Sequence, residues 1–472
     1  MKILFGMRDD GDMTEPMNIM LLSALAKQLG HDTDLWVIER DDLPDTVRRV
    51  KPDVVAFSCI TGSHRYYMDA AQRVKNLRPE VQTVFGGPHF TFFPGEIIVN
   101  PQIDFVCVGE GDDAWPELLS ALENNGGKNG VPNIVTKENA EVVLVPPDEK
   151  TLEKLGLTGR SVPHDRLSLS GKHMRPRRQN LDNLPFMDRG LIYNNTEFIN
   201  RYKRTLMASR GCPFRCTYCF EHQWYDLYRR VGGYAREWYS VDRFLDELEY
   251  IKKNWDTRFF KFYDDVMLPF PHQGEIAWHQ EFCSKYPERI GLPFHLLTRC
   301  DLVVALKERM NIDVIRDWKQ AGMASITMSI ESGNSFIRDH VILRDMSGAE
   351  VKKAFSMAYE AKVYTFPNVI LGIPAPLIPD NVTDPAYEEK LKRVAEEVKM
   401  LQNVNNIKID LDHVLVIAKQ WFREEEDRRE YVLQFLRSTG MRSSYPAYDR
   451  ESVRFTLDRQ PGFPEFPILA PF

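Results

Sequence analysis

The segment Asp53–Ile60 reads DVVAFSCI, an apolar run with no alternation. A strand with one wet face alternates apolar and polar residues. One buried on both faces does not, which is the condition of a strand in a parallel sheet covered by helices. Four more short apolar runs stand around it: Lys2–Met7, Asp34–Ile38, Thr83–Phe85 and Asp104–Val108. Helix-period segments fill the intervals. Met17, Met20, Leu21, Ala24, Leu25 and Leu29 recur at helical spacing before the stop signal Gly30, and further helices fit 44–50, 67–77 and 114–122. This alternation predicts a doubly wound parallel sheet of Rossmann type. Ligands of such sheets bind outside the carboxyl ends of the strands, here the loops at 8–12, 58–63, 86–89 and 109–111.

The alternation resumes after Arg204 with longer helices. Strands are expected at Thr205–Ser209, Phe259–Asp264, Phe294–Thr298, Ser325–Ile330, Phe366–Leu371 and Ile407–Ile417. Helices fit about 241–254, 272–286, 312–321, 348–361 and 385–403. Ser347 and Glu350 form a capping box, and Gly322 ends the helix before it. Six strands of this kind predict a partial (β/α)6 barrel of TIM-like construction, with its site at the carboxyl ends of the strands. The expected division is a Rossmann-like domain over 1–130, a connecting strap over 131–200, the barrel over 201–418 and a small extension over 419–472. Within the strap, 133–146 reads as a hairpin. The extension holds a charged helix near 420–437 and an aromatic tail. Trp421, Phe422, Tyr445, Tyr448 and Phe463 there are candidates to cap a large apolar or planar substrate.

Composition narrows the function. With 43% hydrophobic residues and 27% charged, the 472-residue chain has ample core material. Its formal charge of −7 speaks against sequence-independent nucleic-acid binding. No apolar run approaches the roughly 18–20 residues of a membrane helix, and MKILFGMRDDGD lacks a secretory start, so a cytoplasmic protein is expected. Seven cysteines are too few for a disulfide scaffold. Three of them, Cys212, Cys216 and Cys219, crowd into the segment RGCPFRCTYCF directly after a barrel strand. Three thiolates on a tight loop can hold three irons of a [4Fe–4S] cluster and leave the fourth open to a substrate. Zinc is the alternative, with His222 as fourth ligand, but four ligands within eleven residues are cramped. Cys59, Cys107, Cys283 and Cys300 are scattered and read as buried small residues.

The segment RGCPFRCTYC resembles the signature of radical S-adenosylmethionine (SAM) enzymes, including the aromatic residue before the last cysteine. The resemblance implies that Cys212, Cys216 and Cys219 ligate the cluster. It implies that SAM binds the open iron and is cleaved to a 5′-deoxyadenosyl radical, with a flavodoxin or ferredoxin as electron donor. It also implies SAM contacts at later strand ends. Asp264 and Asp265 stand where many members carry Gly-Gly-Glu, and which of them meets the SAM amino group stays open. Ser329 and Glu331 resemble the ribose position, Arg344 the partner of the SAM carboxylate, and Gly372 and Ile373 the segment beside the adenine. Arg299 and Asp301 read equally as site residues or as a structural ion pair. Arg229, Arg230 and Arg236 read equally as a solvated face or an anion contact.

A doubly wound domain ahead of such a barrel is similar to the cobalamin-binding branch of the family. That likeness implies cobalamin contacts at Ser58, Ile60, Thr61 and Gly62, at Gly86, Gly87 and Pro88, and at Gly109, Glu110 and Gly111. The cobalt-ligating pattern D-x-H-x-x-G occurs nowhere, so no axial ligand is assigned, and His64 and His89 are left unassigned to cobalt. The implied activity is methylation of an unactivated carbon or a phosphinate phosphorus, with cobalamin as methyl carrier. The alternatives are a ring closure or rearrangement without net methylation, and a corrinoid or iron–sulfur sensor that is not an enzyme.

Overall fold

The computed structural model describes residues 1–370, apart from 10–13, 125, 155–156, 234–235, 268–272, 334–337, 340–341 and 369, together with two short strands further on. It divides into two compact units. One comprises Met1–Arg201 with Gln223–Tyr239, the other Tyr202–His222 with the residues from Ser240 onward.

The first unit is built on a six-stranded sheet: β1 (Lys2–Met7), β2 (Asp32–Val37), β3 (Val54–Ser58), β4 (Gln82–Gly86), β5 (Phe105–Cys107) and β6 (Ile134–Thr136). The order is β2-β1-β3-β4-β5-β6. The first five run parallel, and β6 joins antiparallel to β5. The reversal of order at β1 is the doubly wound switch point, with its crevice at the ends of β1 and β3. Leu4, Val55, Phe57, Phe85 and Val106 are buried in the core beneath the helices. Helix Met17–Gln28 is anchored from 165 residues away, where Ser23 Oγ donates to the Asp188 carboxylate at 2.6 Å. Beside it Arg189, 1% exposed, donates to Glu15 at 2.7 Å, and Tyr193 donates to the same carboxylate at 2.6 Å.

The hairpin expected over 133–146 does not form. Buried Asn139 accepts from Thr136 N–H at 2.8 Å and donates to the carbonyls of Asn129 and Ile134. This closes a turn straight after β6 and starts the helical turn Ala140–Val143. The chain then enters β7 (Leu144–Val145), which pairs antiparallel with β8 (Ser168–Leu169). The polar interruption KENAE holds the side chain that makes this turn, so the two apolar halves part company.

In the second unit β9 (Lys203–Leu206) leads through β10 (Ser209–Arg210) into the cysteine loop. The segment Gln223–Tyr239, ending in β11 (Glu237–Trp238), belongs to the first unit. The chain continues with β12 (Phe259–Phe262), β13 (Phe294–Thr298), β14 (Met323–Met328) and β15 (Tyr364–Phe366). Here the strands lie in chain order, β9-β12-β13-β14-β15, all parallel. Sequential order is how barrel staves are laid down, in contrast to the switch in the first unit. Helices Val241–Asn254, Gln273–Arg289, Val314–Ala321 and Gly348–Glu360 follow the expected pattern. Gly322 ends the third at φ 119°, and Ser347 and Glu350 make the reciprocal capping box.

Two expectations change. Helix Cys300–Met310 was not foreseen between β13 and Val314. Its start carries no side-chain cap, and its adjacent valines, Val303 and Val304, favour strands. The sixth stave expected at Ile407–Ile417 is described only as β16 (Ile407–Lys408), which pairs antiparallel with β17 (Thr456–Leu457) rather than joining the parallel sheet. The expected helices near 385–403 and 420–437, and the aromatic tail residues, lie outside the described residues.

Candidate functional site

Two neighbouring carboxylates at the end of β12 fix the entry to the cysteine loop. Asp264, wholly buried, accepts from the backbone N–H of Ala208 (3.1 Å) and of Ser209 (2.6 Å) and from the Ser209 hydroxyl. Asp265 is exposed and accepts from Gly211 N–H at 3.0 Å. Gly211 sits at φ 92°, where a side chain would be strained. The loop then carries Cys212, Cys216 and Cys219, none in a disulfide. Cys216 is buried and the other two half-buried. Burial pushes the Cys212 thiol up to about 12 and raises that of Cys219. Among the described residues no three His, Cys, Asp or Glu side chains are gathered as a ready-made single-metal site. His222 Nδ1 lies 2.6 Å from the Cys219 carbonyl oxygen.

Around Cys216 the later strands deliver charge. Arg299, 5% exposed, follows β13 and directs Nη1 to Cys216 Sγ at 3.6 Å. Its Nε and Nη2 grip the Asp301 carboxylate at 3.0 Å each, and its guanidinium lies 3.8 Å over the Phe214 ring. Arg344 brings Nη1 to 3.9 Å from the same sulfur. It also donates to the Ser329 carbonyl at 3.1 and 2.7 Å and to the Tyr218 hydroxyl at 2.6 Å. Tyr218 donates in turn to Glu331 at 2.8 Å, and Glu331 lies 3.7 Å from Arg344. Burial raises the Glu331 carboxyl above its ordinary value, opposed by Arg344 and the Tyr218 hydroxyl.

Glu331 holds φ 65°, unusual for a residue with a side chain. Asn368, just past β15, holds the peptide there: its carbonyl accepts from Ile330 and Glu331 N–H at 3.0 and 2.9 Å. Its amide donates to Ser329 Oγ at 3.0 Å. The structure thus assembles Cys216, Ser329, Glu331 and Arg344, brings Arg299 to Cys216 while pairing it with Asp301, and adds Tyr218 and Asn368. The signal for Tyr218 was its place in the cysteine motif. For Asn368 nothing in the sequence pointed to a role. Gly372 and Ile373 lie outside the described residues. Three free thiols, one facing two guanidinium groups, suit an anionic iron–thiolate cluster.

In the first unit the loops differ in openness. Ile60 is 62% exposed, and Thr61 and Gly62 are exposed beside it. Gly87, at φ 87°, packs so closely that a Cβ would lie 2.7 Å from Cys59 N and 2.8 Å from Ser58 Oγ. Ser58 Oγ also accepts from Asn18 Nδ2 at 2.6 Å. Thr61 Oγ1 and His89 Nδ1 stand 3.2 Å apart, and the His64 and His89 rings stack at 3.8 Å. The third loop is covered by protein. A Cβ on Gly109 would lie 2.3 Å from the Tyr228 hydroxyl oxygen, and Glu110 N–H donates to that oxygen at 2.6 Å. Glu110 also accepts from Arg177 Nε at 2.7 Å. Of the basic patch, Arg229 lies 3.8 Å from Asp226, and Arg236 stacks 4.1 Å from the Trp238 ring centre. The exposed 60–62 loop follows β3 beside the switch point.

Residues 7–119 match the B12 binding domain, and residues 206–376 match the radical SAM superfamily. The chain carries a B12 binding domain followed by a radical SAM domain. This radical SAM chain is 26% identical over 326 residues to the hopanoid C-3 methylase of Methylococcus capsulatus, covering 67% of this chain and 53% of that protein. It is 23% identical over 369 residues to the anaerobic magnesium-protoporphyrin IX monomethyl ester cyclase of Rubrivivax gelatinosus, covering 75% and 56%. Its fold is similar to that of the cobalamin-dependent SAM radical enzyme OxsB, solved with aqua-cobalamin and SAM bound. There the TM-score is 0.63 and the identity 15%, over 93% of this chain and 55% of that one. The radical SAM chain spans about half the length of the curated relatives it matches. Among its described residues no helix is long and apolar enough to cross a membrane.

Proposed function

We propose that this chain is a radical SAM methyltransferase that uses cobalamin and a [4Fe–4S] cluster to methylate an unactivated carbon or a phosphinate phosphorus. The observation that carries the reading is the convergence of Cys216, Arg344, Glu331 and Tyr218 in a chain that also holds a B12-binding domain. The bound cofactors supply one-electron cleavage of SAM and carriage of a methyl group. The protein's own residues bind and orient. Cys212, Cys216 and Cys219 hold the cluster. Arg344 pairs with the SAM carboxylate, as guanidinium does with a planar anion. Glu331 accepts from the ribose hydroxyls, and Asn368, itself bonded to Ser329 Oγ, fixes its peptide. Asp265 meets the SAM ammonium, since Asp264 already serves three backbone and hydroxyl donors. The Ser58–Gly62 loop and Gly86–Pro88 take the cobalamin tail. Gly109, Glu110 and Gly111 bound that site from beneath Tyr228. A flavodoxin or ferredoxin supplies the electron.

Likeness to the hopanoid methylase supports a carbon target; likeness to the cyclase supports a second reading, ring closure without net methylation. The test is anaerobic incubation of reduced holoprotein with SAM, counting two products. S-Adenosylhomocysteine together with 5′-deoxyadenosine is expected of the methyltransferase. 5′-Deoxyadenosine alone supports ring closure. Neither product from protein with an intact cluster contradicts both readings and leaves the sensor.

A further inference from the structure

A buried arginine beside a buried cysteine is costly unless its charge is used. Arg299 is 5% exposed, and its fork is fully directed: Asp301 at 3.0 Å twice, the Arg344 carbonyl, and Cys216 Sγ at 3.6 Å. Its flat face covers Phe214, itself inside the cysteine motif. Asp301 opens helix Cys300–Met310, so the pair is set by β13 on one side and that helix on the other. The guanidinium cannot leave the sulfur without leaving a bidentate carboxylate and an aromatic face as well.

We propose that Arg299 and Asp301 act as an opposed pair that sets the reduction potential of the cluster held by Cys216. The inference rests on the cluster reading above. Reduction adds negative charge to the iron–sulfur unit. An N–H donor and positive charge at a ligating sulfur stabilise that reduced form, and hydrogen bonds to sulfur and net charge are among the levers known to set such potentials. Asp301 works against it, by partly neutralising Arg299 in a place where water screens little. The two residues therefore act in opposite directions on one quantity. Arg299 is a tuning residue, distinct from Arg344, whose guanidinium is assigned to SAM.

The experiment is a redox titration of anaerobically reconstituted full-length protein without SAM, followed by electron paramagnetic resonance, with iron and sulfide counted for each variant. Arg299→Met should lower the midpoint, raising the oxidised-to-reduced ratio about tenfold at a fixed solution potential, or ~59 mV for one electron. Asp301→Asn should raise the midpoint. A merely structural pair predicts cluster loss without opposite shifts in whatever cluster remains. If Arg299→Met retains no iron, Asp301→Asn decides: a raised midpoint supports the proposal and an unchanged one overturns it. Two variants with four irons and wild-type midpoints, or shifts of the same sign, also overturn it. Wild-type protein that takes up no [4Fe–4S] cluster overturns the cofactor reading itself, and the proposal with it.

Discussion

At the scale of single residues, the loops after β3 and β4 are shaped by close approach and by burial of imidazole. Gly87→Ala would place a methyl group 2.7 Å from the Cys59 nitrogen at a positive φ. A cost of about 2 kcal/mol or more is expected from strain and clash together, read as a lower urea midpoint. His89 gives a pH prediction. It is 4% exposed, and burial holds its pKa down to about 4, below an ordinary 6.5, with His64 adding to the effect. Unfolded, it takes up a proton near 6.5; folded, it resists until about 4. Its contribution is therefore complete above pH 6.5 and lost as pH falls toward 4, by about 3 kcal/mol at most. His89→Phe should flatten this part of the stability profile between pH 7 and 5. Equal losses in variant and wild type would contradict it. His89 is also where sequence reading stopped short: a histidine in a loop carries no mark of being stacked and buried.

At the scale of elements, the end of β12 separates two jobs that the sequence places side by side. Asp264→Asn exchanges one acceptor oxygen for a donor against the Ala208–Ser209 backbone. It should cost about 2–3 kcal/mol and reduce iron retained after reconstitution. Asp265→Asn, at the exposed neighbour, should keep fold and iron but weaken SAM binding, about tenfold by equilibrium dialysis. Iron loss in both variants to the same degree would show that the two carboxylates share one role. Ser347→Ala should cost about 1 kcal/mol through the capping box, checked by thermal denaturation. That box was legible because its two residues are local, three apart. The strands were legible for the same reason, as apolar runs between glycine and helix signals. What escaped was set at a distance or by one polar side chain: the Asn139 turn that undid the hairpin, and the helix Cys300–Met310 behind two valines. Tyr218 and Asn368 escaped because their contacts are with Arg344, Glu331 and Ser329, more than thirty residues away along the chain.

At the scale of the whole molecule, one chain carries two sheets with different winding rules. The reversed order of the first creates a crevice at β1 and β3. The sequential order of the second brings β9, β12, β13, β14 and β15 together at their carboxyl ends. Residues more than a hundred positions apart, Cys216 and Arg344, meet because both follow strands of the same sheet. The cysteine motif alone suggested a cluster; the topology explains why Arg299, Glu331 and Arg344 face it. The most direct measurement is the cofactor content of protein purified anaerobically from a host supplied with cobalamin, with corrinoid, iron and sulfide counted per chain. One corrinoid with four irons and four sulfides is expected. One zinc without iron or sulfide would contradict the cluster, and four irons with no corrinoid after reconstitution would contradict the part assigned to the first sheet.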